Sequence, residues 1–253
     1  MTTTGQQHRQ RYLDAMGIQA WRRRAPTPPV PDEAVSGDAA VPGTPGPTPG
    51  GPAAATAAER MPAEARQIPA DWEALAAMVA GCTACELHRD RTQAVFGVGD
   101  RQARLMVIGE APGADEDRQG EPFVGRAGRL LDEMLFAAGF RRHEVFIANV
   151  LKCRPPGNRD PQPGEMAACT PYLARQIELV APDAILAVGR IAAQHLLGTD
   201  AAIGRLRRER HHYGPDRIPL VVTYHPAYLL RRPLEKAKSW QDLLRLRGAL
   251  EGT

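Results

Sequence analysis

Short runs of apolar residues alternate with segments of helical spacing from residue 71 onward. The apolar runs, each bounded by polar or turn residues, cover residues 104–109, 145–150, 184–189 and 220–224. Runs of this length are typical of strands buried on both faces. Helical spacing marks residues 71–82, 126–138, 163–180 and 190–197 and a last segment from Ser239. Strands that alternate with helices predict a parallel sheet covered by helices on both faces.

The first 70 residues differ in composition from the rest of the chain. Residues 26–52 contain nine prolines, five glycines and no aromatic residue, so this stretch cannot bury enough apolar area to offset the entropy of ordering it. We therefore predict a disordered linker at residues 26–70 and a globular domain at residues 71–253. Residues 1–25 carry apolar side chains followed by three arginines, which suggests a docking peptide. The alternatives are a frayed tail and a segment that packs back on the domain.

Charge and hydropathy restrict the class of protein. The formal net charge is +3 and the isoelectric point is about 8.8, which is only a mild preference for anionic partners. No stretch approaches the ~20 apolar residues of a membrane span, and the first residues lack the apolar core of a secretory signal. We therefore expect a cytoplasmic protein, in a reducing compartment where cysteines bind metals more often than they form disulfides.

The four cysteines of the chain all lie in the predicted domain, at Cys82, Cys85, Cys153 and Cys169. Four thiolates suit a structural zinc ion or a [4Fe–4S] cluster. The second pair does not have the two-residue spacing of a zinc ribbon, which favours the iron–sulfur cluster. Two disulfides, or unrelated buried thiols, remain the alternatives.

Three sequence blocks follow predicted strands, where open α/β sheets bind their ligands. The first is GEAPGADEDRQGEPFVGRAG at residues 109–128, the second is NVLKCRPPGNRDP at 149–161, and the third is HPAYLLR at 225–231. Together with the cysteine spacing, these blocks resemble the family-four uracil-DNA glycosylases, the iron–sulfur type. The resemblance extends from Asp71 to about Leu250.

This resemblance implies a fold, an activity and a cofactor. The fold would be a three-layer α/β/α sandwich with a central four-stranded parallel sheet. The activity would be DNA repair, in which uracil is flipped out of DNA and its N-glycosidic bond is hydrolysed, leaving an abasic site. The cofactor would be a structural [4Fe–4S] cluster. The alternative is an iron–sulfur protein that binds uracil-containing DNA without catalysis or traps it covalently. A related group of proteins traps uracil-DNA covalently through a histidine in a basic insertion after the strand that carries the pocket asparagine. The corresponding residues 153–169 contain no histidine and no such insertion, which favours turnover.

The same resemblance implies how the base is held. Phe123 would stack on the flipped ring, and the amide of Asn149 would pair with O4 and N3–H of uracil. His225 would donate to O2 as negative charge develops there. The floor of the pocket would be Glu110, Ala111 and Pro112.

The residue that positions the attacking water is open at this point. Ala111 stands where the better-known uracil-DNA glycosylases carry an aspartate. Beside His225, we therefore consider Glu110, Glu116 and Asn158 as catalytic residues, and also Asp117 or a backbone carbonyl for the water.

The block at 225–231 also predicts DNA contacts. Leu229, with Tyr228, would lie at a loop tip and wedge into the gap that the flipped base leaves. Arg231 and Arg159 would hold phosphates, and Lys152 is a further candidate. We expect a monomer.

The N-terminal peptide carries a second, short resemblance. Met16, Gly17, Ile18, Trp21 and Arg24 match the pattern of the N-terminal peptide of the psi subunit of the bacterial replicase clamp loader. That resemblance implies that residues 1–25 bind the clamp loader and bring uracil repair to the replication fork.

Overall fold

A mixed sheet forms the centre of the structure, a computed structural model that describes residues 67–252. Its strands are β1 (Val98–Gly99), β2 (Leu105–Gly109), β3 (Phe146–Asn149), β4 (Ala184–Val188), β5 (His211–Tyr213) and β6 (Ile218–Thr223). Across the sheet their order is β1-β3-β2-β4-β6-β5. The central strands β3, β2, β4 and β6 are parallel, and β1 and β5 add antiparallel edges.

Helices cover both faces of this sheet. They are α1 (Trp72–Ala80), α2 (Ala114–Gln119), α3 (Arg126–Ala138), α4 (Pro163–Val180), α5 (Arg190–Leu197), α6 (Ile203–Leu206), α7 (Pro226–Arg231) and α8 (Lys236–Glu251). Alternate residues of β2 face opposite sides, because successive side chains of a strand point to opposite faces. Leu105 and Val107 pack with α3 and α8, whereas Met106 and Ile108 pack with α4 and α5.

The predicted fold class is confirmed. The four predicted strands form the parallel centre, and α3, α4 and α5 have the predicted bounds. The edge strands β1 and β5 were not predicted, because two or three residues carry too little apolar periodicity. The last helix begins at Lys236 rather than Ser239, directly after a 3₁₀ turn at Pro233–Glu235.

The predicted docking peptide at residues 1–25 lies outside the described residues, as does most of the predicted linker at 26–70. Their boundaries stay predictions. Within residues 67–252, none of the helices has the length and apolar character needed to cross a membrane.

The topology brings three loops to one edge of the sheet. Strands β2, β3 and β6 are parallel, so the segments that follow Gly109, Asn149 and Thr223 leave the sheet on the same side. The order of the strands reverses beside β2, because β3 lies on one side of it and β4 on the other. Such a switch point is the expected place for a ligand cavity.

Candidate active site and cysteine cluster

A cavity of about 440 Å³ opens at this edge of the sheet, within the size range of small-molecule sites. Most of the predicted site residues line it together, the exceptions being Leu229, Asp117 and Lys152. Those that line it are Glu110, Ala111, Pro112, Glu116, Phe123, Asn149, Asn158, Arg159, His225, Tyr228 and Arg231.

Glu116 holds the first loop in shape. Its carboxylate accepts the backbone N–H of Gly113, the residue before α2, at 3.1 Å. The other oxygen accepts the N–H groups of Val124 at 3.1 Å and Gly125 at 3.4 Å. Three backbone donors therefore engage this carboxylate, and its catalytic role stays a prediction. Asp117 is buried and accepts the N–H of Thr92 instead.

Phe123 forms one wall of the cavity in an unusual backbone conformation. Its φ is 55°, in the left-handed region that is rare for a bulky residue. Two glycines make room for it: a Cβ on Gly109 would lie 2.5 Å from the ring, and one on Gly128 would lie 1.7 Å from the Phe123 carbonyl oxygen. The ring centroid lies 5.6 Å from that of His225.

Asn149 ends strand β3 with its side chain in the cavity wall. The residue is 2% exposed, and its Oδ1 has no hydrogen-bond partner among the described residues. A buried acceptor without a partner costs about 1–3 kcal/mol. The site is therefore shaped for a ligand that supplies a donor at this oxygen.

His225 follows strand β6 and caps helix α7. Its Nδ1 accepts the backbone N–H of Ala227 at 3.2 Å, so the neutral ring carries its proton on Nε2. Burial and, to a smaller extent, the charge of Arg231 lower the pKa of His225 to about 4, with Glu116 opposing them. At neutral pH the ring is therefore an uncharged donor through Nε2.

Glu110 lies at the floor of the cavity, directly after β2. Burial and, to a smaller extent, the charge of Asp160 raise its pKa to about 7, with Arg190 opposing them. Arg190 and Asp160 form an ion pair at 2.7 Å. A carboxyl group with a pKa near neutrality can accept a proton at physiological pH.

Asn158 and Arg159 line the outer part of the cavity. Asn158 Oδ1 accepts from Arg154 Nε at 2.7 Å, and the residue has a left-handed φ of 55°. Arg159 donates to both carboxylate oxygens of Glu165, at 2.9 and 2.5 Å.

The prediction that Leu229 lies exposed at a loop tip is wrong. The segment folds as helix α7, and residues three apart on a helix share a face. Pro226 and Leu229 therefore face the interior, and Leu229 is 0% exposed. Two exposed apolar residues follow Leu229 in the chain: Leu230, at 37%, and Leu234, at 91%.

The four cysteines line one small cavity behind the second loop. All four are thiols rather than disulfides. Arg91 Nη1 lies 3.0 Å from Cys153 Sγ, and the Tyr172 hydroxyl lies 3.2 Å from Cys82 Sγ. Burial raises the pKa of Cys169 to about 12, a net value that already includes the opposing effects of the backbone N–H and the ammonium group of Lys152.

Lys152 does not lie on the surface, and the prediction that it holds a phosphate is wrong. The residue is 1% exposed, because it stands between the buried Leu151 and Cys153. Its Nζ donates to the main-chain oxygen of Asn149 at 2.9 Å and to Gln176 Oε1 at 2.6 Å.

Comparison with known proteins agrees with this geometry. Residues 96–244 match the model of the uracil DNA glycosylase superfamily. The chain belongs to the uracil-DNA glycosylase superfamily.

Three relatives within this superfamily are type-4 uracil-DNA glycosylases. The protein of Archaeoglobus fulgidus is 46% identical over 162 residues, which are 61% of this chain and 81% of the relative. That of Thermotoga maritima is 44% identical over 182 residues, 66% of this chain and 93% of the relative. That of Pyrobaculum aerophilum is 42% identical over 179 residues, 68% of this chain and 91% of the relative. The resemblance to the family-four enzymes is thereby confirmed.

The sequence did not identify two residues near the cysteine cluster: Arg91, which contacts Cys153, and Gln176, which contacts Lys152. Arg91 follows Cys85 by six positions, and Gln176 follows Cys169 by seven on helix α4. The location of Gln176 on the same face of α4 as Cys169 was predictable, because residues seven apart lie on one helix face. The contact of Arg91 with Cys153 was not, because it joins residues 62 positions apart.

Proposed function

We propose that this chain is a uracil-DNA glycosylase of DNA repair, which flips uracil from DNA and hydrolyses its N-glycosidic bond. The observation that carries this proposal is the buried Oδ1 of Asn149, which has no hydrogen-bond partner within residues 67–252 and lies in a cavity that also contains Phe123 and the neutral His225. Uracil offers a donor at N3 and an acceptor at O4, which match the oxygen and nitrogen of a side-chain amide. Cytosine offers the reverse pattern, so its bare N3 would face Oδ1.

The chemical step separates a uracil anion from a sugar cation, so the site must stabilise both charges. On the base side, the Nε2–H of His225 donates to O2 as negative charge develops there. A neutral imidazole is sufficient for this purpose, and the tautomer observed at Nδ1 supports it. Phe123 supports the flipped ring by stacking, which contributes about 1–3 kcal/mol per base.

On the sugar side, we assign the attacking water to Glu110. Its carboxyl group lies in the cavity floor, and its pKa of about 7 suits a group that takes a proton from water. When ionised, it also stabilises the sugar cation. Glu116 is less suited to this task, because it accepts three backbone N–H groups. Asn158 remains a candidate for orienting the water from the opposite wall.

The DNA would approach through the rim of the cavity. Arg231 lines the rim and is exposed, and it suits a phosphate contact. Arg159 is paired with Glu165, so it offers less free charge. With Leu229 buried, we assign the wedge to Leu230 and Leu234, which are apolar and exposed beside Arg231. Tyr228 completes this wall.

We propose that the four cysteines hold a [4Fe–4S] cluster. The donor set fits, because Cys82, Cys85, Cys153 and Cys169 line one cavity and four thiolates are the usual ligands of such a cluster. Burial raises the pKa of Cys169, so thiolates at this site would need the charge of a bound metal centre to stabilise them. Bound there, the cluster supplies a structural cross-link between α1, the second loop and α4. Elemental analysis should find roughly four iron atoms per chain, and stoichiometric zinc would contradict the assignment.

We further propose that the protein acts as a cytoplasmic monomer and that residues 1–25 bind the replicase clamp loader. This proposal rests on the sequence pattern at residues 16–24 and on the proline-rich segment after it. A flexible tether raises the local concentration of an enzyme near its partner without a change in its active site.

Cleavage of uracil-containing oligonucleotides tests the main proposal. Full-length protein is incubated with single- and double-stranded oligonucleotides that carry one uracil, and abasic sites are cut with alkali. Matched oligonucleotides with thymine or cytosine at that position serve as controls. We expect cleavage at uracil alone. Tight binding without cleavage would indicate a protein that binds uracil-containing DNA without catalysis. A product that stays attached to the protein would indicate covalent trapping.

A further inference from the structure

Lys152 lies between the cysteine cluster and the base cavity. Its ammonium group contacts the main-chain oxygen of Asn149 and the side chain of Gln176. Gln176 Nε2 donates in turn to the Phe96 carbonyl at 2.9 Å. Both groups that accept from Lys152 are neutral, so neither balances a positive charge.

Lys152 lines the same small cavity as Cys153 and Cys169. An isolated cation in a protein interior is costly unless an opposite charge accompanies it. Thiolates that bind a metal centre carry that opposite charge. The buried lysine and the cysteine ligands therefore suit one another, whereas a buried lysine beside four neutral thiols would be hard to explain.

The residues around Lys152 form a continuous link to the base cavity. Asn149 is the last residue of β3, and Cys153 is four positions further. Between them, the N–H of Val150 donates to the Gly109 carbonyl and that of Leu151 donates to the Glu110 carbonyl, both at 3.0 Å. The carbonyl of Lys152 accepts the N–H of Val95 at 2.8 Å. A displacement of the Lys152 ammonium group would therefore act on Asn149 directly.

We propose that Lys152 couples the metal centre to base recognition: it is the buried countercharge of the cysteine thiolates, and the same ammonium group holds Asn149 in position for the base. The second half of this proposal rests on the proposed function of Asn149. Lys152 is thus a positioning residue, which reaches the substrate only through Asn149.

Lys152→Met tests the proposal, with Lys238→Met as the matched control on an exposed lysine. The first readout is the metal centre itself: loss of visible absorbance under a chelator, and the midpoint potential. Loss of a residue that supports metal ligands typically costs about 10- to 100-fold in metal affinity or activity. We expect chelation to be faster by about that factor and the potential to become more negative, because a positive charge next to the centre favours the reduced form. Lys238→Met should change neither.

The second readout is binding of DNA with a non-cleavable 2′-fluoro-deoxyuridine, compared with binding of an abasic duplex. Iron-loaded Lys152→Met should bind the uridine analogue about 10-fold or more weakly and bind abasic DNA as the wild type does. Equal affinity for the analogue would overturn the link to Asn149. Chelation and potential like those of the wild type would overturn the countercharge.

Two further variants keep the test decisive if Lys152→Met fails to load iron. Lys152→Arg retains the charge, and Gln176→Leu retains the lysine but removes a neutral acceptor. We expect Gln176→Leu to keep the potential of the wild type and Lys152→Arg to load iron. If Lys152→Arg also fails to load while Gln176→Leu shifts the potential, packing rather than charge explains the site and the proposal is rejected. If wild-type protein cleaves no uracil but the potential shift is found, the proposed function fails and the countercharge stands.

Discussion

Arg207 and Asp242 form a buried bidentate ion pair behind the strand that leads to His225. Arg207 Nε and Nη2 each lie 2.8 Å from an oxygen of Asp242, and Asp242 is 0% exposed. Thr223, the last residue of β6, donates its hydroxyl to the same carboxylate at 2.9 Å. The guanidinium also lies 4.6 Å from the ring centroid of Tyr224, which directly precedes His225. One charge pair therefore holds the end of β6 against helix α8.

This arrangement predicts that single and double variants differ in stability. Asp242→Leu leaves the Arg207 charge buried and unpaired, and we expect it to lower the free energy of unfolding by about 3–5 kcal/mol. The double variant Arg207→Met, Asp242→Leu should recover most of that loss, because a buried ion pair often stabilises no more than apolar residues do. Denaturant unfolding measures both. Thr223 and Arg245 also form hydrogen bonds with Asp242. A double variant as unstable as the single one would show that loss of these bonds, rather than the unpaired charge of Arg207, accounts for most of the lost stability.

Asn149→Asp should reduce the selectivity of cleavage for uracil over cytosine. The native Oδ1 matches N3–H of uracil, whereas a carboxyl group can accept from the amino group of cytosine and, when protonated, donate to its N3. We expect cleavage at uracil to fall by about 10²-fold, comparable to loss of one transition-state hydrogen bond, and cleavage at cytosine to become detectable. Single-turnover assays on both bases measure this. Asn158→Asp, on an exposed residue of the same cavity, is the control and should not acquire activity on cytosine.

His225→Ala should lower the single-turnover rate by about 10²- to 10³-fold, since it removes a donor to the developing anion. Binding to abasic DNA should be retained. The pKa of His225 in the folded protein is about 4, below its unfolded value of 6.5, so the ring is neutral above about pH 5 and contributes no titration to the rate there. Its stabilising contribution is present above pH 6.5 and is lost as the pH falls through 4, because the unfolded chain binds the proton more tightly. An unchanged rate in the variant would remove His225 from the mechanism.

The raised pKa of Glu110 predicts how the rate of uracil cleavage depends on pH. Its pKa is raised to about 7, so the single-turnover rate should rise as the pH passes through that value and the carboxylate forms. In Glu110→Gln this rise should be absent and the rate low throughout. The raised pKa also means that the folded protein binds this proton more tightly than the unfolded chain. Its stabilising contribution is therefore complete below pH 4.5 and is lost as the pH rises through 7. A rise at pH 7 that persists in Glu110→Gln would assign it to another group.

The central strands and the cavity were predictable from sequence because the signals are local. Parallel strands buried on both faces appear as uninterrupted apolar runs, and residues that follow such runs meet at one edge of the sheet. The positions of Asn149 and His225 at strand ends were found in this way, whereas their roles in holding the base came from the resemblance to the family-four enzymes. The ring tautomer of His225 was not predictable, nor was the lack of a partner for Asn149 Oδ1 among the described residues. Both depend on neighbours that only the folded chain supplies.

The two wrong predictions have a common physical cause. Leu229 and Lys152 were interpreted from residue type and from proximity to a motif, as if each segment were an exposed loop. The segment with Leu229 forms a helix of six residues, which turns that side chain into the core. Lys152 directly precedes Cys153 and is buried in the interior, where it lines the same small cavity as the four cysteines. Short segments have too few residues for a reliable periodicity, so burial could not be inferred.

Deletion of residues 1–25 tests the predicted docking peptide, which lies outside the described residues. The cavity is built by residues from Glu110 to Arg231, so we expect the deletion to leave cleavage of short uracil-containing oligonucleotides unchanged. Binding to the clamp loader should be lost, because Ile18 and Trp21 are the apolar residues of the matched pattern. Calorimetric titration of full-length protein into the clamp loader measures this, with the deletion and Trp21→Ala as comparisons. Because a tether acts by local concentration, its effect on cleavage should appear only on DNA that carries the loaded replicase. Equal heats for full-length protein and Trp21→Ala, or no heat from either, would reject the clamp loader as the partner.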